Sequence, residues 1–186
     1  MLIEEKVMVR RCRSGEPEAR REMYETYAGR LLAVCRRYIP DPDTAQDIVH
    51  DAFLKAWNSI DSFQPRRAGS LGAWLVRITI HMAIDELRKS KLFFPLEEED
   101  IQPVEEAPVD PSWLRNVPVE TLIDMIASLP EGYRTVFNLF CLDGWSHREI
   151  AHMLGIAEKT SQTQYLKARL KLAAMIAAKY RENESE

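Results

Sequence analysis

Apolar residues recur at three- and four-residue steps over most of the chain. Met23, Tyr27, Leu31, Val34 and Tyr38 form one such stripe, and after the Pro-Asp-Pro-Asp break at residues 40–43 the pattern resumes with Ala45, Ile48, Val49, Ala52, Phe53 and Ala56. These spacings follow the 3.6-residue turn of amphipathic helices that bury one face against each other. From Ser70 the stretch SLGAWLVRITIHMAIDELRKSK is apolar over a wider arc, through Trp74, Leu75, Ile78, Ile80, Met82, Ile84 and Leu87, as expected of a helix enclosed by its neighbours. No hairpin signal interrupts the pattern, so the sequence predicts an all-α fold.

The periodicity fails in one place. LFFPLEEEDIQPVEEAPVDPSWLRNVP holds five of the ten prolines, Pro95, Pro103, Pro108, Pro111 and Pro118. Proline removes backbone donors and steers the preceding residue away from helix, and the like charges repel, so an extended linker is expected. The chain then divides into a helical domain at 1–91, an acidic Pro-rich linker at 92–118, a second helical domain at 119–180 and a polar tail at 181–186. Charge follows the same division. The overall −4 breaks down into +3 for residues 1–91, −7 for 92–120 and 0 for 121–186. The acidity belongs to the linker and does not by itself argue against a nucleic-acid partner.

The composition, 46% hydrophobic and 29% charged over 186 residues, is that of an ordinary globular protein. Cys12, Cys35 and Cys141 are odd in number, far apart and without a Cys-x-x-Cys pair, so neither a disulfide framework nor a thiolate zinc site is indicated; reduced, mostly buried thiols are expected. The N-terminal residues do not read as a secretory signal, and no apolar run approaches membrane-spanning length. A cytoplasmic protein with no membrane insertion is expected.

The segment HREIAH at 147–152 invites a metal reading. A zincin-type helix needs histidines at i and i+4 with a glutamate beside the first. Here His147 and His152 are five residues apart, roughly 140° around a helix at about 100° per residue, and cannot share an ion. No third ligand follows, so no metal, catalytic residue or cofactor is called for, and the histidines are expected to be solvent-facing or capping. Ser146 and Glu149 instead form the S-x-x-E capping box of a helix start, with Ile150, Ala151 and Leu154 as its apolar face. Gly155 supplies a left-handed stop, Ile156 an apolar plug, and a second helix begins near Glu158 to Thr160. That pattern is helix, tight turn, helix.

In a DNA-binding unit of this kind, the second helix offers its early residues to the major groove. Gln162, Thr163, Gln164 and Lys167 are polar there, while Tyr165, Ala168 and Leu172 can pack inward. Glutamine pairs with adenine edges, lysine with guanine or phosphate, and threonine with phosphate or a thymine methyl. A helical hairpin with a solvated polar face is the alternative that periodicity leaves open, and the neutral charge of this lobe supports it.

Taken together, MYETYAGRLLAVCRRYIPDPDTAQDIVHDAFLKAWNSIDSF, WLVRITIHMAIDELRK and IASLPEGYRTVFNLFCLDGWSHREIAHMLGIAEKTSQTQYLKARLKL resemble the extracytoplasmic-function sigma factors of the sigma-70 family. The resemblance covers most of the chain outside the linker and tails. It implies a promoter-specificity subunit, not an enzyme, whose partners are core RNA polymerase, promoter DNA (duplex at −35, melted at −10) and an anti-sigma factor. It also implies a sigma2-like helical bundle and a sigma4-like helix-turn-helix domain, with the linker threading through the polymerase. An acidic joint suits a basic channel, and lobes of modest charge suit a protein that binds DNA within a larger machine.

Carried onto this chain, the resemblance assigns polymerase docking to Asp47, His50, Asp51 and Leu54. These residues form one stripe beside Ile48, Phe53 and Trp57, and a solvated face is the alternative. The family more often has Gln and Glu where His50 and Asp51 stand. Opening of the −10 element falls to Arg66, Arg67 and the following helix, where Arg77, His81, Asp85 and Arg88 line one polar stripe. Arg66, Arg67, Arg88, Lys89 and Lys91 are available to phosphates, and an unstacked base would meet the stripe. The competing role for His81 is that of a satisfied core histidine. The family commonly places Asn there, and an imidazole offers different donors and acceptors from an amide, so the captured base is not transferable.

The −35 element falls to Arg148, Thr160, Gln162, Thr163, Gln164 and Lys167. The family usually continues Thr-Val and a basic residue where this chain has Thr160, Ser161 and Gln162, with arginine frequent at Gln164. Ser161 is expected to give up apolar packing. The two glutamines exchange phosphate contacts for base reading, which predicts an A/T-leaning −35 sequence. The competing function is a helix-turn-helix activator or repressor that acts without joining core polymerase.

Overall fold

The computed structural model describes residues 2–89 and 117–183. Lys91 and all of the proposed linker except Val117 and Pro118 lie outside the described residues. The chain falls into two compact units, 1–89 and 90–186, and among the described residues every regular element is a helix.

Unit 1 contains α1 (Leu2–Arg13), α2 (Pro17–Cys35), α3 (Pro42–Ser59) with a 3-10 turn at Ile60–Ser62, and α4 (Ser70–Lys89). Prolines at the first turns of α2 and α3 sit where a missing backbone donor costs nothing. Asp41 caps α3 by accepting from the Thr44 amide at 2.8 Å and from its hydroxyl at 2.6 Å. Those two bonds hold the Asp41 carboxyl below its ordinary value. Met23, Leu31 and Cys35 of α2, Ala45, Ile48, Val49, Ala52, Phe53 and Ala56 of α3, and Leu71, Leu75, Ile80 and Ile84 of α4 form the buried core. Each fully buried large apolar side chain in such a core stabilises the fold by about 1.5–3 kcal/mol. The stripes expected for α2 and α3 are therefore the faces that pack, with Tyr27 and Val34 half-buried at the margin.

Helix α1 was not signalled by the hydrophobic pattern. Among its described side chains it buries Val9 and Cys12, and it is fixed to α2 by the Arg11 guanidinium, which donates to Glu16 at 2.9 Å and to Glu22 at 2.8 Å.

Unit 2 contains α5 (Val119–Ala127), α6 (Glu131–Phe137) continuing into a π-helical turn at Asn138–Leu142, α7 (His147–Leu154) and α8 (Glu158–Asn183). Leu129, Val136, Leu139, Ile150, Leu154, Ala168, Leu172 and Ile176 are its buried core. The capping box at α7 is complete: the Ser146 side chain accepts from the Glu149 amide, and Glu149 accepts from the Ser146 amide at 2.9 Å. Gly155 ends α7 at φ 69°, ψ 33°, the left-handed conformation expected of it, and the Ile156 amide closes the turn onto the Ala151 carbonyl at 3.1 Å. Residues 181–183, read from sequence as tail, continue α8.

Cys12 and Cys35 are buried, and burial pushes the Cys35 thiol up to about 11. Cys141 departs from expectation. It is exposed, because it lies on the outer side of the π-helical turn, and its thiol reaches the Tyr165 hydroxyl at 3.5 Å.

Candidate nucleic-acid interface

In unit 1 the four residues of the proposed docking stripe, Asp47, His50, Asp51 and Leu54, all lie exposed along α3. Leu54 is 54% exposed, an apolar side chain with no core role. The stripe has a support that the sequence did not reveal. The ring of His50 stacks on Tyr24 of α2 with centroids 5.6 Å apart and planes 8° from parallel, and its Nε2 lies 2.9 Å from the Tyr24 hydroxyl. Tyr24 also packs on Phe53, which in turn meets Trp57, so the orientation of His50 is tied to the core aromatics.

The stripe on α4 is exposed along its whole length: Arg77, His81, Asp85, Arg88 and Lys89 all face outward. His81 is thus not a core histidine. Its Nδ1 lies 2.7 Å from the Arg77 carbonyl oxygen; a carbonyl only accepts, so Nδ1 carries a proton and the lone pair of the neutral ring is at Nε2. Two of the cations have partners on the same helix: Arg88 lies 4.0 Å from Asp85, and Lys89 donates to Glu86 at 2.6 Å. Exposed pairs of this kind contribute at most about 1 kcal/mol and are easily exchanged for phosphate. Arg66 and Arg67 are exposed on the connection that leads into α4.

Unit 2 presents α8 differently from the simple expectation. Gln162 is exposed; Thr160, Thr163, Gln164 and Lys167 are half-buried; Arg148 is exposed at the second position of α7. The Gln164 Oε1 is buried with no hydrogen-bond partner among the described residues. Ser161 is fully buried and makes a polar contact there, its Oγ lying 2.9 Å from Nδ1 of His147. His147 is correspondingly half-buried and only partly open to solvent. Its ring stacks on Phe140 at 4.3 Å and 11°, with Tyr165 tilted against both. Burial holds the imidazole below its ordinary value, opposed by the Glu158 charge. Tyr165 is pushed up to about 12 by burial and then by Cys141. This cluster joins α7 to α8, and no local pattern could have announced it. Only the expected capping of Ser146 and the exposure of His152 were visible in the sequence.

A four-helix unit with an exposed polar, largely basic stripe and a unit that contains a helix-turn-helix are the combination to be compared with known proteins. The family model for Sigma-70 region 2 matches residues 23–92, and that for Sigma-70, region 4, matches residues 120–172. The chain belongs to the sigma-70 family, in its extracytoplasmic-function group. It is 28% identical over 174 residues to the ECF RNA polymerase sigma factor SigW of Bacillus subtilis, covering 88% of this chain and 92% of that protein. It is likewise 28% identical over 175 residues to the ECF RNA polymerase sigma-E factor of Escherichia coli, covering 89% of this chain and 90% of that protein. A solved structure of the sigma factor RpoE in complex with the anti-sigma factor NepR from Bartonella quintana is 22% identical, with a TM-score of 0.47, and covers 84% of this chain and 96% of that one.

Proposed function

We propose that this chain is an alternative sigma factor: it joins core RNA polymerase, directs it to promoters through −35 and −10 elements and helps melt the −10 region. The observation that carries this is the order of the two family matches, region 2 at 23–92 and region 4 at 120–172, on two separately packed helical units. It acts as a specificity subunit in the cytoplasm and not as an enzyme. No described helix is long and apolar enough to cross a membrane.

Within this function, Asp47, His50, Asp51 and Leu54 dock on polymerase. Their exposure, and the apolar surface of Leu54 in particular, supports the assignment. Arg66, Arg67, Arg77, His81, Asp85, Arg88 and Lys89 receive the opened −10 strand, with Asp85 orienting Arg88; Lys91 completes the set from outside the described residues. Arg148, Thr160, Gln162, Thr163, Gln164 and Lys167 face the −35 duplex, and the exposure of Gln162 favours it as the principal base reader. The reading keeps domain boundaries at 91 and 119, with the acidic segment between them. An anti-sigma factor is the further partner that this reading assigns to the protein.

The test is transcription from a promoter library by the purified protein mixed with core RNA polymerase. Promoter-dependent RNA only when both are present is expected. Tight, sequence-specific gel shifts by the protein alone, with no effect of polymerase, would overturn the proposal.

A further inference from the structure

The connection from Phe63 to Gly69, which carries Arg66 and Arg67, is anchored at both ends by α1. At its leading end the Arg13 guanidinium donates to the carbonyls of Ile60 at 3.2 Å, Asp61 at 3.4 Å and Phe63, the last a short contact. These carbonyls close the turn that follows α3, the negative end of a helix, where a cation is favoured. At the trailing end the Glu5 carboxylate accepts from the Gly69 amide at 2.7 Å and from the Ser70 hydroxyl at 3.4 Å. That is the start of α4, where free amides favour an anion. Glu5 and Arg13 are eight residues apart on one helix, which sets them about 12 Å apart along its axis. One rigid element thus fixes the span of the loop. Gly69, at φ 81°, turns the chain into α4, and the Phe63 ring stacks on Trp74 at 4.7 Å.

The clamping bonds lie at the margin of the core, part-buried or exposed: Ile60 and Phe63 are buried, the loop from residue 64 to 69 is largely exposed, and among the described side chains α1 buries Val9 and Cys12. Breaking them would leave unit 1 folded and let the loop sample many shapes.

We propose that Glu5 and Arg13 are positioning residues for capture of the opened −10 strand, holding the loop that presents Arg66 and Arg67 in one shape. This rests on the role proposed above for Arg66 and Arg67. A shaped loop can discriminate among bases, whereas a mobile one retains its attraction for phosphate and loses its selectivity.

The experiment uses holoenzyme reconstituted from the full chain and core RNA polymerase. Its probes are single-stranded oligonucleotides carrying the non-template −10 sequence of a promoter selected by the wild-type holoenzyme, together with versions changed at each base. Glu5→Ala and Arg13→Ala are expected to weaken the preferred oligonucleotide about tenfold, the scale of a lost charged hydrogen bond, while binding of the mismatched ones hardly changes. Glu5→Gln, which keeps an acceptor for the Gly69 amide, is expected to restore most of the discrimination. Affinity for core polymerase should stay as in the wild type, and the fall in melting temperature should be small and no larger for the variant that discriminates least. A uniform loss on all oligonucleotides, a loss that tracks melting temperature, or undiminished discrimination would each overturn the proposal. The double variant Arg66→Ala, Arg67→Ala separates the two levels. If it weakens every oligonucleotide while the Glu5 and Arg13 variants change nothing, the clamp fails and the −10 assignment stands; if the double variant has no effect, the −10 assignment itself fails.

Discussion

Nδ1 of His147, the first residue of α7, lies 2.9 Å from Oγ of Ser161, a fully buried residue in the first turn of α8. The two helices of the helix-turn-helix are therefore joined by a polar bond as well as by apolar packing, and the imidazole is sandwiched in place by Phe140. The angle between α7 and α8 depends on that junction.

Removing the hydroxyl tests the junction directly. Ser161→Ala deletes one hydrogen bond at a buried position and is expected to cost about 1 kcal/mol of unit 2 stability. Chemical denaturation measures it. A variant as stable as the wild type would mean that His147 finds an equivalent partner in water.

The same junction sets a pH dependence. Burial holds His147 below its ordinary value of 6.5, so the unfolded chain takes up a proton at a pH where the folded unit still resists it. Stability from this group is complete above 6.5 and is lost as pH falls from there toward the folded value. The wild-type melting temperature should drop more than that of His147→Gln between about pH 7.5 and 5.5, because the two proteins differ at that one imidazole. Parallel curves would rule out His147 as the source.

Leu54 is the sharpest test of docking. As an exposed side chain, its replacement by Ala should move stability by no more than about 0.5 kcal/mol. If it seats in a pocket on polymerase, affinity for core should fall roughly thirtyfold, the ratio that about 2 kcal/mol produces. Fluorescence anisotropy with labelled protein reads this, and unchanged affinity would remove Leu54 from the interface.

The residues proposed for the −35 element separate into two expected kinds of contact. Gln162→Ala should relax one base position of the −35 element, at about 1–3 kcal/mol of lost discrimination. Lys167→Ala should weaken all promoters alike and lower the salt slope of binding by about one unit. A uniform loss for Gln162→Ala in a promoter-library assay would make it a phosphate contact.

Much of the fold was legible because it is local. The cap at Ser146 and Glu149 and the left-handed Gly155 depend on residues within a single turn, and the stripes of α3 and α4 depend on three- and four-residue spacing. For the same reason the sequence alone determined the helical class, the two-lobed order, the helix-turn-helix and the faces on which Asp47, His50, Asp51, Leu54 and the α4 residues stand. Only the tertiary structure decided what lies opposite a polar side chain. It added α1, whose sparse apolar pattern carries little periodic signal and whose Glu5 and Arg13 meet partners 47 to 65 residues away. It half-buried His147 against Phe140, gave it a buried partner in Ser161 and buried the Oε1 of Gln164. Periodicity states which way a side chain points; the partner that it meets is set by how distant helices pack, and that geometry is absent from any single stretch of sequence.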